Sequence, residues 1–264
     1  MPADHDHAAI IATAEALADA ARAATLAHFR ADGLSADNKE QHRFDPVTVA
    51  DRESEMRMRE ILARLRPDDA IFGEEFGATT GTSGLTWVLD PIDGTRAFIT
   101  GRPLFGTLVA LLEEGVPVLG VIDQPITGER WVGVAGERTR FRGPAGRAGT
   151  RCCASLDVAE LSSTSPEMLG RALPRFQRLA ARARRVTWGG DCYAYGLLAL
   201  GQIDIVAECD LKPWDWAALG PVIEGAGGML RDWSGRPLAA DSPGDVLALG
   251  DARLLDAAIA CLAG

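Results

Sequence analysis

Apolar residues at Ile10, Ala14, Leu17 and Ala21 repeat at the spacing of one helix face, which predicts an Ala-rich helix from about Ala8 to Arg30. Ala31–Phe44 loses that period, is polar around Gly33, and reads as a loop carrying Lys39. In Asp45–Asp51, D-P-V-T-V-A-D, Thr48 is placed to cap a second helix, with Asp51 as the reciprocal carboxylate. Met58, Ile61, Leu62 and Leu65 mark the buried face of that helix. The period then shortens. Ile71–Gly77 is a short strand ending in an acidic turn, Ala78–Thr86 a Gly/Thr/Ser linker, and Trp87–Leu89 an apolar strand. Gly106–Leu112, Val118–Asp123 and Arg130–Gly136 are apolar runs divided by turn residues, as in an antiparallel meander.

Residues from Phe141 to Ser155 are rich in Gly and Arg and lack apolar periodicity, which places a subdomain boundary near 140–150. Beyond it, helices predicted over Ser163–Ala183, Asp191–Leu200, Trp214–Ala226 and Leu254–Leu262 alternate with strands at Val186–Thr187, Ile203–Ala207, Met229–Asp232 and Val246–Leu249. Such alternation predicts a mixed sheet covered by helices. The chain is expected to divide into an N-terminal α+β subdomain, residues 1–140, and a C-terminal α/β subdomain, residues 141–264.

Composition narrows the function classes. Of 264 residues, 47% are hydrophobic and 24% charged, as in a globular chain. A net charge of −10 and a pI near 4.9 argue against nucleic acid or an anionic membrane as partner. No apolar run is long enough to span a bilayer. M-P-A-D-H-D-H lacks the basic and apolar regions of a signal peptide, so His5 and His7 read as tail residues. The cysteines are odd in number and show no C-x-x-C spacing, which favours thiols in a reducing cytosol over disulfides or a zinc site.

The chemistry concentrates in Trp87–Thr95, W-V-L-D-P-I-D-G-T. Pro91 fixes φ, Gly94 permits a backbone path closed to other residues, and Asp90 and Asp93 flank the turn. The amides of Gly94 and Thr95 are free to face an anion if a helix begins there. Two carboxylates with free amides suit a metal–phosphate site; an Asp-rich β-turn is the plain alternative. The D-x-D-G-T signature of aspartyl-phosphate enzymes does not fit, because Pro91 stands two residues before Asp93. Elsewhere, Glu74 and Glu75 are adjacent, so an extended chain sends only one of them to a shared site. Asp51 reads as a cap or as a residue orienting a hydroxyl. Asp215 reads as a helix-terminal carboxylate, and Glu208 follows the strand I-D-I-V-A.

Taken in order, G-E-E (Gly73–Glu75), W-V-L-D-P-I-D-G-T and L-K-P-W-D-W-A-A (Leu211–Ala218) resemble the three motifs of inositol-monophosphatase-like, magnesium-dependent phosphatases. D-P-V-T-V-A-D resembles the motif before that family's second helix, and the likeness spans roughly Lys39 to Trp233. The resemblance implies an α/β layered αβαβα sandwich, a phosphate monoester as substrate, two or three Mg²⁺ per site, and a cytoplasmic homodimer. It implies that Glu74, Asp90 and the Ile92 carbonyl hold one ion, and Asp90, Asp93 and Asp215 a second. It further implies phosphate on the amides of Gly94 and Thr95, and Thr95, oriented by Asp51, helping Glu74 to activate a metal-bound water. G-G-D-C-Y-A-Y-G (Gly189–Gly196), F-I-T-G-R-P-L-F-G-T-L and V-I-D-Q-P look like the histidinol-phosphate phosphatase branch. On that likeness Asp191 and Glu208 face the cationic groups of histidinol phosphate, and Arg102 is a candidate phosphate or substrate contact. Asp191 also reads as a helix N-cap. Inositol-1-phosphate or sugar phosphates are the same-fold alternative; adenosine 3′,5′-bisphosphate fits less well, because no basic cluster stands ready for a second phosphate; a non-catalytic scaffold is the alternative from another class.

Overall fold

The computed structural model describes residues 7–38, 46–239 and 242–263. Lys39, His5 and Asp45 lie outside them. Helix α1 (His7–His28) and helix α2 (Val49–Leu65) lie side by side, with the short antiparallel strands β1 (Ala36–Asn38) and β2 (Pro46–Thr48) between them in sequence. The expected loop therefore holds a strand.

There follow β3 (Ala70–Gly73), β4 (Gly77–Thr79), β5 (Leu85–Asp93), α3 (Thr95–Ile99), β6 (Gly106–Glu113), β7 (Val116–Gln124), β8 (Glu129–Val134) and β9 (Arg140–Arg142). They form a seven-stranded sheet in the order β4-β3-β5-β6-β7-β8-β9. The predicted meander is its β6–β8 part, and only β3 and β5 pair in parallel. The linker expected at Ala78–Thr86 contains most of β4, an edge strand with no apolar pattern to announce it.

The second half gives β10 (Glu160–Ser163), α4 (Pro166–Leu169), α5 (Leu173–Ala180), β11 (Arg185–Trp188), α6 (Asp191–Leu198) and β12 (Ile205–Glu208). Then come α7 (Pro213–Trp216), α8 (Leu219–Gly225), β13 (Met229–Arg231), β14 (Val246–Leu249) and α9 (Leu255–Leu262). The second sheet runs β11-β10-β12-β14-β13 and is mixed. Its β10 was not anticipated, and the helix expected over Trp214–Ala226 is broken between Trp216 and Leu219.

Three apolar clusters define five layers. Ile10, Leu17, Met58 and Leu62 of α1 and α2 pack on Trp87, Leu89, Val109 and Val121 of the first sheet. The opposite face, through Val88, Leu108, Ile122 and Trp131, meets Tyr195, Trp216 and Val222 of α6–α8, which also cover Val206, Val246 and Ala248 of the second sheet. Phe176, Leu179 and Leu262 of α5 and α9 close the far side on Ile205 and Leu247. The order is α, β, α, β, α, as the resemblance implied. Leu65 departs from the expected buried face of α2: at the helix end it is 50% exposed.

Candidate active site

Strand β5 delivers two of the acidic residues. Val88 faces the middle helical layer, and alternation along the strand puts Asp90 on the same side. The register with β6 then shifts between Asp90 and Asp93, so the chain leaves the ladder. Thr107 Oγ1 donates to the Pro91 carbonyl at 2.8 Å and fixes that departure. Gly94 caps α3 with φ at 91°, a left-handed geometry that a Cβ would strain. No described residue accepts from the amides of Gly94 or Thr95 outside the regular elements.

Asp90, Asp93 and Asp215 each offer a carboxylate oxygen within 4.8 Å of the other two. Asp93 is held from α6 by the Cys192 amide, and Asp215 accepts from the Lys212 amide at 2.7 Å as the third residue of α7. Burial, and then the charges of Glu74, Asp93 and Asp215, push the Asp90 carboxyl well above its ordinary range. Burial followed by neighbouring carboxylates does the same to Asp93 and Asp215. Asp90 Oδ1 is buried with no hydrogen-bond partner among the described residues. An all-oxygen donor set of mutually repelling carboxylates with an orphaned acceptor fits a hard divalent cation. Glu74 lines the same cleft, and its amide donates to the Leu89 carbonyl at 3.1 Å, beside Asp90. Glu75 does not line it; its amide is tied to Glu55, so one of the two glutamates reaches the cleft, as strand geometry requires.

Asp51 stands at both of the positions read from the sequence, at the helix cap and beside a hydroxyl. Its Oδ2 accepts from the Thr48 amide at 2.8 Å and from Thr48 Oγ1 at 2.6 Å, closing the capping box of α2. Its Oδ1 receives Thr95 Oγ1 at 3.3 Å, and the same hydroxyl lies 3.1 Å from the Ile92 carbonyl.

The cleft, of about 320 Å³, also exposes Asp191 and Glu208. Glu208 lies on the face of β12 that carries Val206, and accepts from the Thr164 amide and the Tyr195 hydroxyl, each at 2.8 Å. Burial raises its pKa. Asp191 is the first residue of α6 and caps nothing; Gly190 holds the cap position. Gly189, Gly190 and Asp191 all have positive φ, at 90°, 127° and 45°. That strained run turns the Asp191 carboxyl over Gly94, where a Cβ would lie 2.9 Å from Asp191 Cγ. Burial and the Glu208 charge push Asp191 up to about 7, against the pull of Arg96 and Arg102.

Arg102 is exposed and does not line the cleft; Arg30 and Gln124 pin the loop around it through the carbonyls of Gly101, Pro103 and Phe105. Arg96 lines the cleft instead. Sequence reasoning passed over it, although its place directly after D-G-T was a signal. Trp214, stacked edge-on against Phe72 at 5.1 Å, and Tyr195 are further wall residues that only the fold brings in. No described helix is long and apolar enough to cross a membrane.

The inositol monophosphatase family matches residues 6–263. The chain is 45% identical over 228 residues to the chloroplastic bifunctional phosphatase IMPL2 of Arabidopsis thaliana, covering 85% of this chain but 64% of that longer protein. It is 42% identical over 227 residues to a histidinol-phosphatase of Mycobacterium tuberculosis, covering 83% of this chain and 86% of the relative. Its fold superposes on an inositol monophosphatase from Zymomonas mobilis with a TM-score of 0.87 and 47% identity, over 98% of this chain and 99% of that one. With ordered motifs, layered architecture and relatives in agreement, the chain belongs to the inositol monophosphatase family, whose phosphatases depend on metal ions, typically Mg²⁺.

Proposed function

We propose that this chain hydrolyses L-histidinol phosphate to L-histidinol and phosphate. The observation that carries the reading is the pair Asp191 and Glu208, two carboxylates in the cleft beyond the Asp90–Asp93–Asp215 cradle. Histidinol phosphate presents an ammonium and a titratable imidazole, and each gains from a charge-assisted hydrogen bond to a carboxylate. A neutral inositol ring offers those carboxylates only hydroxyls, which gain less from a charged acceptor than an ammonium does. The histidinol-phosphatase relatives support the reading.

Glu74, Asp90, Asp93, Asp215 and the Ile92 carbonyl would hold the ions. When bound, Mg²⁺ supplies charge neutralisation at the phosphate and a more acidic water. The amides of Gly94 and Thr95 would orient the phosphate. Asp51 and the Ile92 carbonyl hold the Thr95 hydroxyl beside the cleft, and Glu74 is the base to which a water proton would pass. No carboxylate stands where D-x-D-G-T would need its nucleophile, so direct attack of water on phosphorus is the route.

Inositol-1-phosphate remains the second reading, favoured by the Zymomonas mobilis likeness and by a carboxylate at Glu208 that already accepts a hydroxyl, that of Tyr195. Phosphate release with Mg²⁺ from histidinol phosphate, inositol-1-phosphate and adenosine 3′,5′-bisphosphate separates the readings. The expected order puts histidinol phosphate first by kcat/KM; equal or better turnover of inositol-1-phosphate overturns the assignment.

A further inference from the structure

One turn along α2 from Asp51 stands a second buried carboxylate, Glu55, with no exposed surface. It reaches across to the turn between β3 and β4. Glu55 Oε2 accepts from the Glu75 amide at 2.7 Å, and Oε1 from the Phe76 amide at 3.2 Å. Arg59 donates to Glu55 at 2.7 Å, and its other nitrogens take the Gly77 carbonyl and, at 3.0 Å, Thr79 Oγ1. The pair thus grips the hairpin immediately after Glu74. Gly73 lies directly over the carboxylate, and a Cβ built there would overlap it. Since φ at Gly73 is not positive, glycine is required at this point for room and not for backbone freedom. From the other side, the Glu74 amide is bonded to Leu89. Glu74 is therefore fixed between β5 and Glu55.

We propose that Glu55 is a positioning residue for the divalent-ion site: by accepting the amides of Glu75 and Phe76 it aims the Glu74 carboxylate at Asp90. Asp51 and Glu55, four residues apart on one helix face, then align Thr95 and Glu74 from a single rail. The inference rests on the reading of Glu74 as an ion ligand. Groups that orient ligands without touching the metal change metal affinity by about 10- to 100-fold when removed.

The test is calorimetric titration of Mg²⁺ into EDTA-stripped full-length protein, with folding checked by circular dichroism. Glu55→Gln loses one acceptor oxygen; Glu55→Asp keeps the charge opposite Arg59 but falls short of the two amides. Each is expected to weaken Mg²⁺ binding by about tenfold. A loss smaller than about threefold in a folded variant overturns the proposal, as does failure of both variants to fold, which would make Glu55 a scaffold residue only. Glu74→Gln runs in parallel. If Glu74→Gln leaves binding unchanged, the reading of the site fails; if it weakens binding while both Glu55 variants do not, the positioning role alone fails.

Discussion

Thr95 Oγ1 and Asp51 Oδ1 lie 3.3 Å apart, and the second oxygen of that carboxylate closes the N-terminal cap of α2. The helix cap and the proposed alignment of Thr95 thus share one side chain, and two substitutions separate them. Thr48→Ala removes the cap hydroxyl and its bond to Asp51 but leaves the Asp51 carboxylate facing Thr95, and is expected to lower unfolding free energy by about 1 kcal/mol with kcat within about twofold of the parent. Asp51→Asn is expected to show the same loss and a fall in kcat on the order of a hundredfold. Urea denaturation and steady-state kinetics on both variants check this; equal kcat in the two would detach Asp51 from Thr95.

Carboxylates crowded without a cation make the stripped protein sensitive to pH in an unusual direction. Asp191 is raised from its ordinary 3.8 to about 7, and Asp90, Asp93 and Asp215 are raised as well. Between the unfolded and folded values the native chain holds more protons than the unfolded one, so stability falls as pH rises through that window. Thermal melts in EDTA are expected at higher temperature near about pH 5 than near about pH 8. Mg²⁺ at about a hundred times its Kd is expected to add roughly 2.7 kcal/mol and to narrow the difference. A stripped protein that melts higher at the alkaline end contradicts the electrostatics of the cradle.

Asp191 gives the selectivity test. Burial and the Glu208 charge raise its carboxyl, which must ionise to meet an ammonium group, so kcat/KM for histidinol phosphate should rise with pH above the range where an ordinary aspartate has already ionised. Dividing the parent profile by that of Asp191→Asn cancels the titration of the substrate imidazole. The same variant should lose about tenfold or more on histidinol phosphate and little on a neutral phosphate ester. An equal loss on both substrates removes the charge match.

Gly94 combines a positive φ of 91° with the close approach of Asp191. Gly94→Ala meets both obstacles. We expect a loss of about 1–2 kcal/mol from the left-handed backbone, seen in denaturant melts. Displacement of Asp191 should raise KM for histidinol phosphate more than for inositol-1-phosphate.

What could be read from the sequence was local or carried by family motifs. The Thr48–Asp51 cap spans one helical turn and announced itself. Asp90 and Asp93 sit in one short turn, and Asp215 in a recognisable L-K-P-W-D stretch. Strand β10 gives no strand signal because three of the four residues in E-L-S-S are polar; Glu160 is sheltered by Arg185 and Ser162 is covered only by tertiary packing. Glu55 was invisible for another reason: its partners, Glu75 and Phe76, lie about twenty residues on, and i-to-i+4 pairing with Arg59 reads as an ordinary helix surface pair. Asp191 was noticed, but its orientation depends on three successive positive φ angles that residue types only permit.

Helices α6–α8 wall both sheets with one continuous apolar cluster. A cut in the Gly/Arg-rich stretch near residue 144 would strip the first sheet of that cover and leave the outer apolar side of α6–α8 bare on the other fragment. Fragments made separately should behave as unfolded or aggregating chains, and phosphatase activity should return only when both are refolded together, which makes the two halves obligate companions and not exchangeable modules.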